Sequence, residues 1–229
     1  MMEYDPRSIA FLCDLAHAPK GADVRGVQKL HDAMFATGSP AYSSFAVTPM
    51  GPVLSNPQTR PGAVSQVTFL SGGLQFREEL GGQTHETFAG RVRSIAAEAG
   101  ARLGIECFLA QQVTIRSLIN PRSYRDSREF LRDAMFRFGD EFDAFGRQPR
   151  LFGLRLGFLP EPDEPNAFAL RIESYNPDPR SLFLENQGSF GGAAATGLDE
   201  IERRVVATYR FLEERVLPFV ARFDARQEA

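Results

Sequence analysis

The sequence predicts a single α+β domain, in which two pseudo-symmetric β-α-β-β-β-α halves form one mainly antiparallel sheet with the helices on one face. Three observations predict it. Apolar residues alternate with period two in some segments and recur at helical spacing in others. The order strand, helix, three strands, helix occurs twice, over about residues 7–104 and 107–224 of the 229. Leu30-His-Asp-Ala-Met-Phe-Ala-Thr-Gly38 also aligns with Leu131-Arg-Asp-Ala-Met-Phe-Arg-Phe-Gly139, and six of the nine positions are identical.

The first strand spans Ser8 to Leu15, with Ile9, Phe11, Cys13 and Leu15 on one side and Ser8, Ala10 and Asp14 on the other. After a loop (17–21), Asp23 caps a helix carrying Val24, Val27, Leu30 and Met34, which Gly38 and Pro40 end. Ser44 to Thr48 is followed by a Pro/Gly/Asn-rich stretch, Pro49 to Gly62, expected to be a mobile loop with a short strand inside. Ala63 to Leu70 and Leu74 to Leu80 form a hairpin about Ser71-Gly72-Gly73. A helix follows over Thr84 to Leu103, with Phe88, Val92, Ile95, Ala99 and Leu103 on its apolar stripe and Gly104 as its stop.

The second half opens with a strand, Cys107 to Ile119, and a helix, Ser127 to Phe138. An acidic, Phe-bearing loop leads to strands at Leu151 to Leu159, Ala167 to Tyr175 and Ser181 to Gln187. The glycine-rich run Gly188 to Gly197 reads as a second mobile linker, ahead of a capping box, Thr196-x-x-Asp199. The closing helix carries Ile201, Val205, Tyr209, Leu212, Val216, Val220 and Phe223.

Composition narrows the function. With 43% apolar and 24% charged residues, the chain is ordinary for a globular protein and needs no disulfide or metal to fold. Twenty Phe and no Trp predict a Phe-filled core. A net charge of −3 argues against nucleic-acid binding. Only Lys20 and Lys29 are lysines, so nearly all the positive charge sits on arginine, which suits bidentate pairing with carboxylate or phosphate. Cys13 and Cys107 lie in apolar runs and read as two buried free thiols. Neither a signal peptide nor a membrane-length apolar run is apparent, so a cytoplasmic location without membrane contact is expected.

No catalytic, metal or phosphate-binding spacing is present, and no cofactor is expected. His17, His31 and His85 are scattered over different elements, and Asp140, Glu141 and Asp143 lack calcium-loop spacing. The polar sides of the alternating strands are more informative. If register allows, Arg116, Arg155, Arg171 and Glu173 share one surface. That surface suits a solvated face with cross-strand ion pairs of about 0.2–1 kcal/mol each. After that reading come a homo-oligomer or partner interface and then a site for a small anionic ligand. The leading expectation is a non-enzymatic interaction protein, a homodimer or a subunit of a bacterial complex, acting through this face or the loop Phe136 to Phe145. The alternative is a ligand-binding sensor using Arg116, Arg155, Arg171 and Glu173.

The segment Ile115-Arg-Ser-Leu-Ile-Asn120 approximates an aliphatic-Arg-aromatic-Ile-Asn pattern, with Leu118 in the aromatic position and the arginine displaced by one. With the closing helix and its Phe219 and Phe223, the chain resembles a sporadically distributed family of uncharacterised prokaryotic proteins of similar length. The resemblance implies the fold and no particular activity. By architecture alone, the duplicated plan is also similar to gyrase-inhibitor-like proteins, which bind small molecules between halves, and to TATA-binding saddles, which need a basic face.

Overall fold

The computed structural model describes residues 4–21, 23–38, 41–195 and 197–224. In chain order its strands are β1 (Arg7–Ala16), β2 (Ser44–Thr48), β3 (Gly51–Ser55), β4 (Val64–Leu70), β5 (Gly73–Glu79) and β6 (Cys107–Phe108). They continue with β7 (Ala110–Ile119), β8 (Gly153–Phe158), β9 (Ala167–Ser174), β10 (Leu182–Phe190) and β11 (Ala193–Ala194). The helices are α1 (Val24–Ala36), α2 (His85–Leu103), α3 (Ser127–Glu129), α4 (Leu198–Phe211) and α5 (Leu217–Asp224).

Nine strands make one sheet in the order β2-β3-β4-β5-β1-β7-β10-β9-β8, and every pairing is antiparallel. β1 and β7 meet at its centre, and each is flanked by a meander that runs outward to an edge. The alternation of the strands decides which face is covered. Phe11, Cys13 and Leu15 of β1, Val113 and Ile115 of β7, and Leu74 and Phe76 of β5 point into one continuous core. There they meet Phe88, Val92, Ile95 and Ala99 of α2 and Ile201 and Val205 of α4. Antiparallel sheets tolerate water on the opposite face, because one side of each strand is enough to bury. Phe76, Phe88, Phe108 and Phe130 are fully buried, as the Phe-rich composition leads one to expect, and each contributes about 1.5–3 kcal/mol.

The helix ends follow local chemistry. Asp23 accepts from the Gly26 N–H at 2.8 Å, Thr84 Oγ1 from the Thr87 N–H at 3.3 Å, and Gly104 stops α2 in the left-handed conformation (φ 64°). Pro40 and Thr196 lie outside the described residues; α4 is preceded by Gly197, which makes no side-chain cap. α3 runs on as a π-helical segment, Phe130–Phe136, and ends at Arg137 (φ 56°). A second π-helical segment, Leu212–Val216, joins α4 to α5. Pro218 supplies its cause: proline offers no N–H to the turn before it and crowds the carbonyl there, so the helix widens.

Several expectations need correction. The short strand expected inside Pro49 to Gly62 is β3, and because it pairs with both β2 and β4, four sheet strands rather than three separate α1 from α2. The strand expected over Cys107 to Ile119 breaks at Leu109, so β6 pairs with β11 in a separate two-stranded sheet. That pairing leaves Cys107 exposed, whereas Cys13 is buried. The presumed linker Gly188 to Gly197 begins inside β10 and includes β11, so much of it is tied down by backbone pairing. Among the described residues, no helix is long and apolar enough to cross a membrane.

Candidate functional site

Arg116, Arg155, Arg171 and Glu173 do reach one surface, the sheet face opposite the helices. The register places Arg116, Glu185, Arg171 and Arg155 directly opposite one another across β7, β10, β9 and β8. Glu173 stands two residues along from Arg171 on the same side of β9. Arg116 Nε donates to Glu185 Oε2 at 2.6 Å, and Arg171 Nη1 lies 3.8 Å from Glu185 Oε1. Arg171 Nε approaches Glu173 Oε1 at 3.2 Å as an ion contact rather than a formed hydrogen bond, and its guanidinium lies 5.0 Å above the Phe183 ring.

Two of the three arginines are thus neutralised within a ladder whose central member, Glu185, the sequence reading passed over. Its place in the alternation of β10 was visible. Its position opposite Arg116 and Arg171 depends on a register that no single strand displays. Arg155 differs from the other two. It is exposed, faces the like charge of Arg171, and has no ion pair with a described residue. Two residues further along each strand, the same face carries Arg77, Leu12, Thr114, Gln187, Ala169 and Gly157, a nearly uncharged row.

Arg155 sits on an edge. β8 is the last strand of the sheet and pairs with β9 alone. Phe152 O accepts from the Ser174 N–H at 3.2 Å, and hydrogen-bonded pairs alternate along an antiparallel ladder. Leu154 and Leu156 therefore bond to β9, while Gly153, Arg155 and Gly157 turn their N–H and C=O groups outward. Beside this edge, the loop Phe136 to Phe145 forms a 3₁₀ turn, Gly139–Phe145, none of whose residues is buried. Phe142 holds it in place, with ring centroids 5.0 Å from Phe138 and 5.4 Å from Phe152. Phe145 (73% exposed), Leu151 (55%) and Leu159 (81%) remain in solvent. Large apolar groups exposed near an open edge are a feature of association surfaces in general.

A buried acid lies elsewhere in the sheet. Glu78, on the core side of β5, accepts from Ser65 Oγ at 2.9 Å and pairs with Arg91 of α2. Burial raises its carboxyl above the usual range despite Arg91. The pair ties α2 to the sheet, and its surroundings hold no metal-binding cluster among the described residues. Comparison of the sequence with protein-family models and with curated proteins finds no match.

Proposed function

We propose that the chain is a non-enzymatic interaction protein that works as a cytoplasmic homodimer, formed when β8 pairs antiparallel with β8 of a second copy. The open backbone edge of β8 carries this reading. Monomeric proteins blunt such edges with charged side chains, proline or a bulge; Gly153-Leu-Arg-Leu-Gly-Phe158 has no proline or bulge, and Arg155 is its single charge. The strand is also self-complementary. With a two-fold axis through Leu156, Leu154 faces Phe158 of the second copy, and Arg155 faces Gly157 instead of its own like charge. The outward groups of Arg155 and Gly157 then form hydrogen-bonded pairs, and the exposed Phe145, Leu151 and Leu159 flank the seam. The unpaired thiols, Cys13 and Cys107, are in keeping with a reducing compartment. The sheet order, which reads alike outward from β1 and β7, supports an origin by duplication, with β2 as an addition to the first half.

The test is solution mass by light scattering at about 10 μM, a concentration at which a specific dimer of ordinary affinity persists. A dimer is expected, and Arg155→Pro is expected to convert it to a monomer with an unchanged circular dichroism spectrum. Position 155 has its N–H on the outer edge, so proline there leaves the β9 ladder intact. A monomeric wild type, or a dimer indifferent to Arg155→Pro, refutes the second-copy reading, and capture of a different protein by the same edge would replace it.

A further inference from the structure

A groove of about 320 Å³ opens between α3 and the segment that leads into β8. Three of its lining residues are arginines. Arg128 is held by Asp126, with Nε 2.9 Å from Oδ1, and Arg132 by its neighbour Asp133, at 2.5 and 2.7 Å. Arg150, exposed at the rim, makes no hydrogen bond or ion pair with a described residue. Asp126 and Glu129 also line the groove, so its walls carry three positive charges against two negative, an excess of one. Its remaining walls include Pro149 and Phe152, which are apolar.

Arg128 and Arg150 also line a narrower recess of about 10 Å³. Ser127 and Ser174 line this recess too. They are 0% and 3% exposed, and neither hydroxyl has a hydrogen-bond partner among the described residues. Buried hydroxyls are almost always paired, so two unpaired ones in one recess call for an explanation. The recess has room for about one oxygen atom the size of a water. Two unpartnered hydroxyls and Arg150, whose guanidinium has no partner among the described residues, line the recess in which such an oxygen would sit.

We propose that groove and recess bind the oxyanion head group, carboxylate or phosphate, of a small organic molecule. One oxygen enters the recess and accepts from Ser127 Oγ and Ser174 Oγ. Arg150 pairs with the remaining oxygens, and the apolar part of the molecule lies along Pro149 and Phe152. This moves the anionic-ligand role from the flat sheet face, where Arg116 and Arg171 are occupied, to a concave site where Arg150 has no partner among the described residues.

The experiment is calorimetric titration of the full chain with benzoate and, separately, with inorganic phosphate. Saturable one-site binding of at least one probe is expected, and the probe that binds more tightly identifies the head group. Ser127→Ala, Ser174→Ala and Arg150→Ala should each weaken binding about tenfold or more, as loss of a hydrogen bond to a charged group does. Arg147→Ala, outside the groove, should leave it unchanged. Both serine variants should also melt no lower than wild type, because each removes a hydroxyl that is unsatisfied in the free protein. Failure of both probes to saturate by about 10 mM, or unchanged affinity in both serine variants, overturns the proposal.

Discussion

Asp224 is fully buried, yet it remains charged because of what surrounds it. Burial pushes its carboxyl upward. The Tyr4 hydroxyl at 2.6 Å, the Arg122 N–H at 2.7 Å and the Ser123 N–H at 2.9 Å outweigh that and hold it below the ordinary carboxylate value of 3.8. A carboxyl whose pKa falls on folding stabilises the folded state above its unfolded pKa. That contribution is lost as pH drops through the lower, folded value. Tyr4→Phe should therefore cost about 1–3 kcal/mol at pH 7, with a smaller difference at a pH below that lowered, folded value. Urea midpoints at the two pH values check this, and an equal loss at both would show that the tyrosine matters only as packing. Nothing in the sequence singled out this site, because Tyr4 and Asp224 stand 220 residues apart and belong to no motif. Glu185 was missed for the same reason: it lies 69 residues from Arg116.

At the scale of the element, local pattern was legible wherever one face alone is buried. The alternation in β1, β7 and β9 and the helical stripes of α2 and α4 all appear where the periodicity places them. The short strand expected inside Pro49 to Gly62 had no legible bounds, because Gly51 and Pro52 look like loop residues. The fold uses both within a strand: Gly51 adopts φ 141°, and a Cβ there would stand 2.2 Å from Phe69 O, while Pro52 pairs with β2 and precedes the β4 ladder. Gly51→Ala should thus cost about 2 kcal/mol or more, seen as a fall of roughly 4–8 °C in Tm. Gly90, inside α2 with open space around its Cβ position, is the control, and Gly90→Ala should stabilise by about 0.5–1 kcal/mol. Equal effects at the two glycines would remove the steric account of β3.

On the scale of the whole molecule, the central antiparallel pair β1–β7 joins the two meanders, so opening it requires both flanks to part. Its amides should be the slowest to exchange with deuterium, and those of the edge strand β2 among the fastest. The outward amides of Gly153, Arg155 and Gly157 supply an independent test of the proposed dimer. They should be protected at high protein concentration and exchange freely on dilution or in Arg155→Pro. Fast exchange at every concentration would leave the edge open to solvent. Here the sequence was informative about layers and silent about neighbours. One α+β unit with its helices on one face followed from amphipathic strands and helices, but β7 beside β1 and β8 at the rim did not.

What the sequence determined by itself is therefore local: element type, helix ends at Asp23, Thr84 and Gly104, and the set of side chains each strand turns towards the core. These follow from hydrogen-bond periodicity and burial within a few residues of chain. Only the tertiary structure decided that Glu185 neutralises Arg116 and Arg171, that Arg155 occupies an open edge, and that Ser127 and Ser174 share one recess. Strand register and helix docking are set by non-local matching of whole apolar faces. Because the backbone ladder is indifferent to which side chains it brings together, the polar neighbours are a consequence of that matching and are written in no single segment.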